Sequence, residues 1–266
     1  MKIKTILATV LGVLAIGSTV LAQEPLTPRQ IMDRSIKTGK LSGSEATSTM
    51  TIIDSKGRKR VRKIAQTTKL YDNGKTEKKL VRFLAPPDVK GTGLLTFDHE
   101  DKDDDMWFYM PALRKTRRII SSEKAKSFMG SEFSYADITP PTLNDFQFTL
   151  LGEEGVDGVP CWKIAMVPND KDIADENGFS KKISCIRKDN FVIRKAIYYD
   201  LDEELHKELT ASDIVELDPK NHKYRPTHME MANLQNKRKS ILRVNRIILN
   251  PNVKDAYFTT RYLERE

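Results

Sequence analysis

The segment DDDMWFYMPALRKTRRII, from Asp103 to Ile120, sets three carboxylates beside five apolar residues, Met106 to Met110. Four cations follow: Arg114, Lys115, Arg117 and Arg118. Guanidinium groups grip phosphate or carboxylate through paired hydrogen bonds. Apolar surface next to such groups suits a ligand with an oily body and an anionic head. Strand alternation puts Met106, Phe108 and Met110 on one face and Trp107 and Tyr109 on the other. In RKTRRII it divides Arg114, Thr116 and Arg118 from Lys115, Arg117 and Ile119. A plain sheet core also accounts for the apolar run, and an edge strand protected by charge also accounts for the arginines.

The next segment, SFMGSEFSY, carries Phe128, Met129, Phe133 and Tyr135 without strand alternation. Adaptable methionine and aromatic surface there reads as a lid over a cavity or as a small satellite core. The acidic run Asp98, Glu100, Asp101 and Asp103 to Asp105 has three readings. It is a solvated hairpin tip, a set of carboxylates pairing with nearby cations, or oxygen ligands for a hard cation. It lacks EF-hand spacing. His99, His206, His222 and His228 are dispersed and form no recognised metal spacing. GxSxG, HExxH, P-loop and Rossmann fingerprints are absent from the sequence.

These residues need elements to hold them. The chain opens with Lys2 and Lys4, a short apolar run from Ile6 to Ile16, and small residues before Gln23. That is the pattern of a cleavable secretory signal over residues 1–22, cut between Ala22 and Gln23. Export leaves residues 23–266 as one domain. No cysteine follows the cut, so no lipid-attachment site is expected there. In a Gram-negative host the destination is the periplasm. The formal net charge of +8 is spread along the chain and favours acidic partners only weakly.

Two cysteines, Cys161 and Cys185, fall in the exported part, where oxidation is permitted. PCWKIAMVP and FSKKISCIR read as a hairpin about the polar loop NDKDIADENG. That folding brings the two thiols nearly opposite and predicts a disulfide, with two free buried thiols as the alternative.

TPRQ at residues 27–30 is a capping box: Thr27 caps, Pro28 takes the first helical position and Gln30 reaches back. Ile31, Met32 and Ile36 form the inward side of that helix. From about residue 44, segments rich in Thr, Val, Ile and aromatics alternate with turn signals such as SKGR and YDNGK. About ten or eleven antiparallel strands result, too many for a flat sheet. The expected fold is mainly β: one strongly curved, unclosed antiparallel barrel with two or three helices across its concave side. Residues 121–142 interrupt it, with Ser121 or Ser122 capping a short helix over Glu123 to Met129 that Gly130 stops.

Three stretches, FLAPPDVKGTGLLTF (83–97), DDMWFYMPALRKTRRI (104–119) and SFMGSEFSYADI (127–138), resemble the outer-membrane lipoprotein-sorting protein family. Those exported proteins are similar to the LolA and LolB carriers. The resemblance covers the mature chain and implies an unclosed β-barrel whose helices lid an apolar cavity. It further implies a carrier that shields acyl chains across an aqueous gap, with a lipid or lipoprotein as cargo and an RND-type exporter as companion. On this reading Leu94, Leu95, Phe97, Trp107 and Tyr109 line the cavity, and Phe128, Met129, Phe133 and Tyr135 cover it. Arg114, Arg117 and Arg118 form a head-group rim. No cofactor or metal is expected. The rival readings are a metal-dependent hydrolase of envelope lipids, working through the acidic loop, and a scaffold that binds an exporter and carries nothing.

Overall fold

The computed structural model describes residues 24–265; the signal sequence expected over residues 1–22 lies outside them. The capping box forms as read. The Thr27 hydroxyl accepts from the Gln30 amide, and the Gln30 side chain accepts from the Thr27 amide at 2.9 Å. It starts α1 (Pro28–Thr38), which buries Ile31 and Met32. The carbonyls at its far end have no helical partner. Lys223 donates to the Lys37 carbonyl at 2.8 Å and Arg225 to that of Gly39 at 2.7 Å. The helix is thereby tied to the sheet.

The strands are β1 (Gly43–Ile53), β2 (Lys59–Tyr71), β3 (Thr76–Ala85), β4 (Gly93–His99), β5 (Asp105–Met110), β6 (Lys115–Ile119), β7 (Phe146–Val156), β8 (Val159–Pro168), β9 (Lys181–Arg187), β10 (Ile193–Tyr199), β11 (Leu205–Asp218), β12 (Lys223–Asn233) and β13 (Arg238–Leu249). Two further short helices are α2 (Lys171–Asn177) and α3 (Thr260–Leu263). All thirteen strands join one antiparallel sheet, more than the ten or eleven expected. Chain neighbours pair except β6 with β7, and β1 also pairs β13, so the two edges are β6 and β7. The sheet is not closed. Register shifts at Thr47/Ser48 and Lys63/Ile64 mark irregularities of the kind that sharpen bend and twist.

Residues 120–145 run from one edge strand to the other. The helix expected over Glu123 to Met129 is not formed. Two single 3-10 turns, Ser121–Glu123 and Phe128–Gly130, take its place. Met129 (φ 54°) and Gly130 (φ 72°) both sit in the left-handed region, which a right-handed helix cannot include. In contrast, the polar loop between the cysteine strands contains α2. Asp170 caps it, and Gly178 ends it in the left-handed conformation.

Side chains cover the sheet on both faces. One inner cluster joins Met50, Ile52, Ile64, Val81, Phe83, Leu94, Met106 and Phe108 with Phe128 and Tyr135 of the crossing segment. A second joins Ile31 and Met32 of α1 with Phe133, Ile164, Met166, Ile186, Tyr198 and Met231. A third lies on the opposite face, where Leu80, Leu95 and Tyr109 meet Val253, Phe258 and Leu263. Thus α3 packs outside the barrel rather than across its hollow. Its approach is close: a Cβ on Gly93 would stand 2.5 Å from a Leu263 methyl.

The expected disulfide is absent; Cys161 and Cys185 are free and buried. Cys161 pairs Arg187 in the ladder, and Cys185 pairs Lys163. The thiols are therefore diagonal neighbours. Cβ atoms so related stand farther apart than the ~3.5–4.5 Å a disulfide spans. Burial pushes both thiols up from their ordinary pKa, which keeps them protonated.

Candidate ligand cavity

The two inner clusters do not meet completely. Between them lies a cavity of about 400 Å³, within the ~300–1,000 Å³ of small-ligand sites. Its floor is sheet: Met50 and Ile64 from the first half, and Met166, Met229, Met231 and Leu242 from the second. Its roof is Met32 and Ile36 of α1 with Phe128 and Phe133 of the crossing segment. Five methionines thus face one space. Thioether chains are unbranched and polarizable, so they adapt to more than one ligand shape. A hollow of about 370 Å³ toward β13 shares Gln66, Met229 and Leu242 with it. A more polar one, about 500 Å³ and lined by Arg29, Lys37, Lys40 and Lys75, shares Ile36, Pro140 and Pro141.

Charged side chains enter this apolar space from two sides. On β3, Glu77 and Lys79 point inward in line with Val81 and Phe83. Lys79 lies 3.8 Å from Glu77 and 3.5 Å from Asp98, and Arg225 lies 3.4 Å from Glu77. Two carboxylates and two cations make this wall balanced. Burial, with Glu77 and Asp104 nearby, pushes the Asp98 carboxyl up to about 7 against the pull of Lys79. One Asp98 oxygen has no hydrogen-bond partner.

On the other side, Asp137 of the crossing segment accepts from Lys207 at 2.7 Å and from the Ser134 amide and hydroxyl at 2.8 and 2.9 Å. Tyr198 stands between two lysines. The Lys182 ammonium is 4.7 Å from its ring centre and that of Lys207 is 4.8 Å. Lys182 lines the cavity. Burial pulls it down to about 8, with Asp137 opposing and Lys207 adding to the fall.

These contacts also fasten the cover. Lys79 donates to the Ile138 carbonyl at 2.8 Å. At the other end Glu132 takes its amide bond to the Ser240 hydroxyl, a bond from Asn233 and an ion pair with Arg238. Lys182, Lys207, Asp137, Glu77 and Arg225 were not among the expected site residues. For those on strands the signal was a charge at an inward position: Lys182 is in phase with Ile186, and Glu77 with Phe83.

The expected site residues divide. Phe128 and Phe133 line the cavity. Leu94, Tyr135 and Met129 sit in or against the first inner cluster, clear of the hollow. Leu95, Phe97, Trp107 and Tyr109 belong to the outer face, packed under the chain's last segment. Alternation separated the two faces correctly, with Phe108 opposite Leu94 and Trp107 opposite Leu95. Both faces are covered, so periodicity alone could not say which looks inward.

The three arginines also lie away from the cavity. Arg114 ends the β5–β6 turn in the left-handed region at φ 47°. Arg117 shares the inner face with Phe108 and Arg118 the outer face with Trp107. Both are well exposed on an edge strand and paired, Arg117 with Glu123 at 2.7 Å and Arg118 with Asp105 at 2.5 Å. In the acidic loop, Asp98, Asp104 and Asp105 each reach a cation. Among the described residues no three His, Cys, Asp or Glu side chains converge as a metal would require. Also among them, no helix is long and apolar enough to cross a membrane.

A family model described as "-like: Uncharacterized protein" matches residues 75–265. A solved domain from Vibrio parahaemolyticus, described as an outer membrane lipoprotein-sorting protein domain, superposes with a TM-score of 0.81 at 26% identity. It covers 90% of this chain and 98% of its own. The chain belongs to the family of that model and is similar to this lipoprotein-sorting domain. A DUF1329 family protein from Desulfovibrio piger gives a TM-score of 0.81 at 28% identity, over 89% of this chain and 97% of its own. A LolA superfamily protein from Nitrosomonas europaea shares the fold at TM-score 0.68 and 17% identity, over 90% of this chain and all of its own. Curated proteins give no match. The architecture is thus a LolA-like unclosed sheet, with its hollow beneath an anchored segment.

Proposed function

We propose that the protein is an exported carrier of acyl chains, working in the periplasm and delivering a lipid or lipoprotein toward the outer membrane. The observation that carries this reading is the methionine-lined space under the cover. A well-packed domain has few voids larger than a water, and a hollow of about 400 Å³ among apolar side chains supports an occupant. A buried methylene gains roughly 0.8 kcal/mol on leaving water, so a chain of about fifteen carbons gains on the order of 12 kcal/mol before ordering costs. That is ample to hold a tail. The sorting role in the description of the Vibrio relative supports the direction proposed. An RND-type exporter is the companion that the family resemblance suggests.

The test is uptake of a fluorescent acyl probe by the purified protein, with native mass spectrometry of gently isolated material. Leu242→Trp and Met231→Trp fill the hollow. Saturable binding that both variants weaken supports the reading. If neither variant weakens it while both stay folded, the hollow is not the carrier site. A metal that co-purifies and sustains lipid hydrolysis would favour an enzyme instead.

A further inference from the structure

Apolar lining can hold a tail, but it leaves open what the tail is attached to. The cavity wall formed by β9, β10 and β11 bears on that. Lys182, Tyr198 and Lys207 occupy paired positions on these three strands, and Asp137 descends onto them from the cover. One Asp137 oxygen takes Lys207 and both Ser134 donors, and its charge acts on Lys182 only at longer range. Among the described residues the Lys182 ammonium has neither an ion pair nor a hydrogen bond, and it rests on the face of Tyr198. One carboxylate therefore serves two ammonium groups. The opposite wall cannot supply the missing charge, because Glu77 and Asp98 are matched there by Lys79 and Arg225.

Withdrawing a cation from water without a counter-charge is costly. A protein keeps such an arrangement where a ligand completes it. Resting on the carrier reading, we infer that the cavity selects amphiphiles with one anionic head, a carboxylate or a phosphate monoester, bound head-inward at Lys182 with the tail along the methionine wall. The head site is thus inside the barrel and not at the arginines of its edge. The fall of the Lys182 ammonium to about 8 is what a desolvated, under-compensated cation shows, and an arriving anion would reverse it. Tyr198 adds a ring face against which the ammonium is held in place.

Three ligands with the same tail test this: palmitate, hexadecyl phosphate and hexadecanol, each displacing a neutral fluorescent acyl probe from the wild-type protein, Lys182→Met and Lys182→Gln. We expect at least one anion to bind about tenfold or more tighter than the alcohol in the wild type. Both variants should lose that preference, the anions falling to the level of the alcohol. Whichever anion suffers the larger loss identifies the head as carboxylate or phosphate. Equal binding of all three by the wild type overturns the inference and leaves the carrier reading standing. A preference that survives in either folded variant also overturns it, because the head then lies elsewhere. Binding of none of them defeats the carrier reading and this inference together. If both variants fail to fold, the wild-type preference for palmitate from about pH 7 to 10 decides: it should fade as the Lys182 ammonium gives up its proton while the edge arginines keep their charge, and a preference that persists undiminished overturns the inference.

Discussion

Asp137 and Lys207 are joined by an ion pair of 2.7 Å whose side chains are only 8% and 10% exposed. It is a clasp between the cover and the wall of the cavity. Removing one member of such a pair strands the other in a low-dielectric site, at a cost of about 3–5 kcal/mol. Asp137→Asn should lower stability to urea by that order. It should also speed proteolysis within residues 124–138 ahead of the rest of the chain, read by mass spectrometry of the fragments.

The same clasp has a pH signature. Burial would raise the Asp137 carboxyl, but Lys207, Lys182 and the hydrogen bonds outweigh it and hold it below the ordinary carboxylate range. A group whose folded pKa is depressed stabilises above its unfolded pKa and loses that contribution as the pH falls through the folded one. Asp98 behaves oppositely. Its carboxyl is raised to about 7, so the native state holds a proton that the unfolded chain has released. Stability from this group falls as the pH climbs from the ordinary carboxyl value of 3.8 to about 7 and is level beyond. Asp98→Asn should therefore flatten the stability profile across that window. Urea titrations at several pH values check it; an unchanged slope would contradict the raised carboxyl.

The arginines of β6 should prove dispensable for uptake. They face opposite sides of an edge strand, and both ion pairs are solvent-exposed. Exposed pairs contribute ~0–1 kcal/mol. Arg117→Gln with Arg118→Gln should leave probe affinity unchanged and shift stability by no more than about 1 kcal/mol. A marked loss of affinity would restore the rim reading.

The cysteines should stay reduced even after export. Intact mass should show no loss of two hydrogens. A thiol reagent should react quickly with Cys161 and Cys185 only once the protein is unfolded, because both are buried and held protonated.

What could be read from the chain divides along physical lines. The capping box at Thr27 and the YDNGK turn, with Asn73 at φ 56° and Gly74 at φ 89°, are local, so their residues specify them directly. The unclosed antiparallel sheet follows from short turns between apolar segments. The cavity does not follow in that way. It is built by Met32, Met50, Met166 and Met231, which come from distant elements. Which face of Trp107 looks inward is decided by Phe258 and Leu263, residues far along the chain. The thiol pairing failed on two residues of register, which α2 and the turns around it fix.

No ladder hydrogen bond links β6 to β7 among the described residues. The wall of this container consequently has a seam but no hoop. Its girth can grow by spreading at that seam while every interstrand bond elsewhere stays made. On the carrier reading, the bulk of admissible cargo is then governed by the strap that spans the gap, through its buried Phe128 and Phe133 and the clasps Asp137 to Lys207 and Glu132 to Arg238, rather than by the size of the barrel.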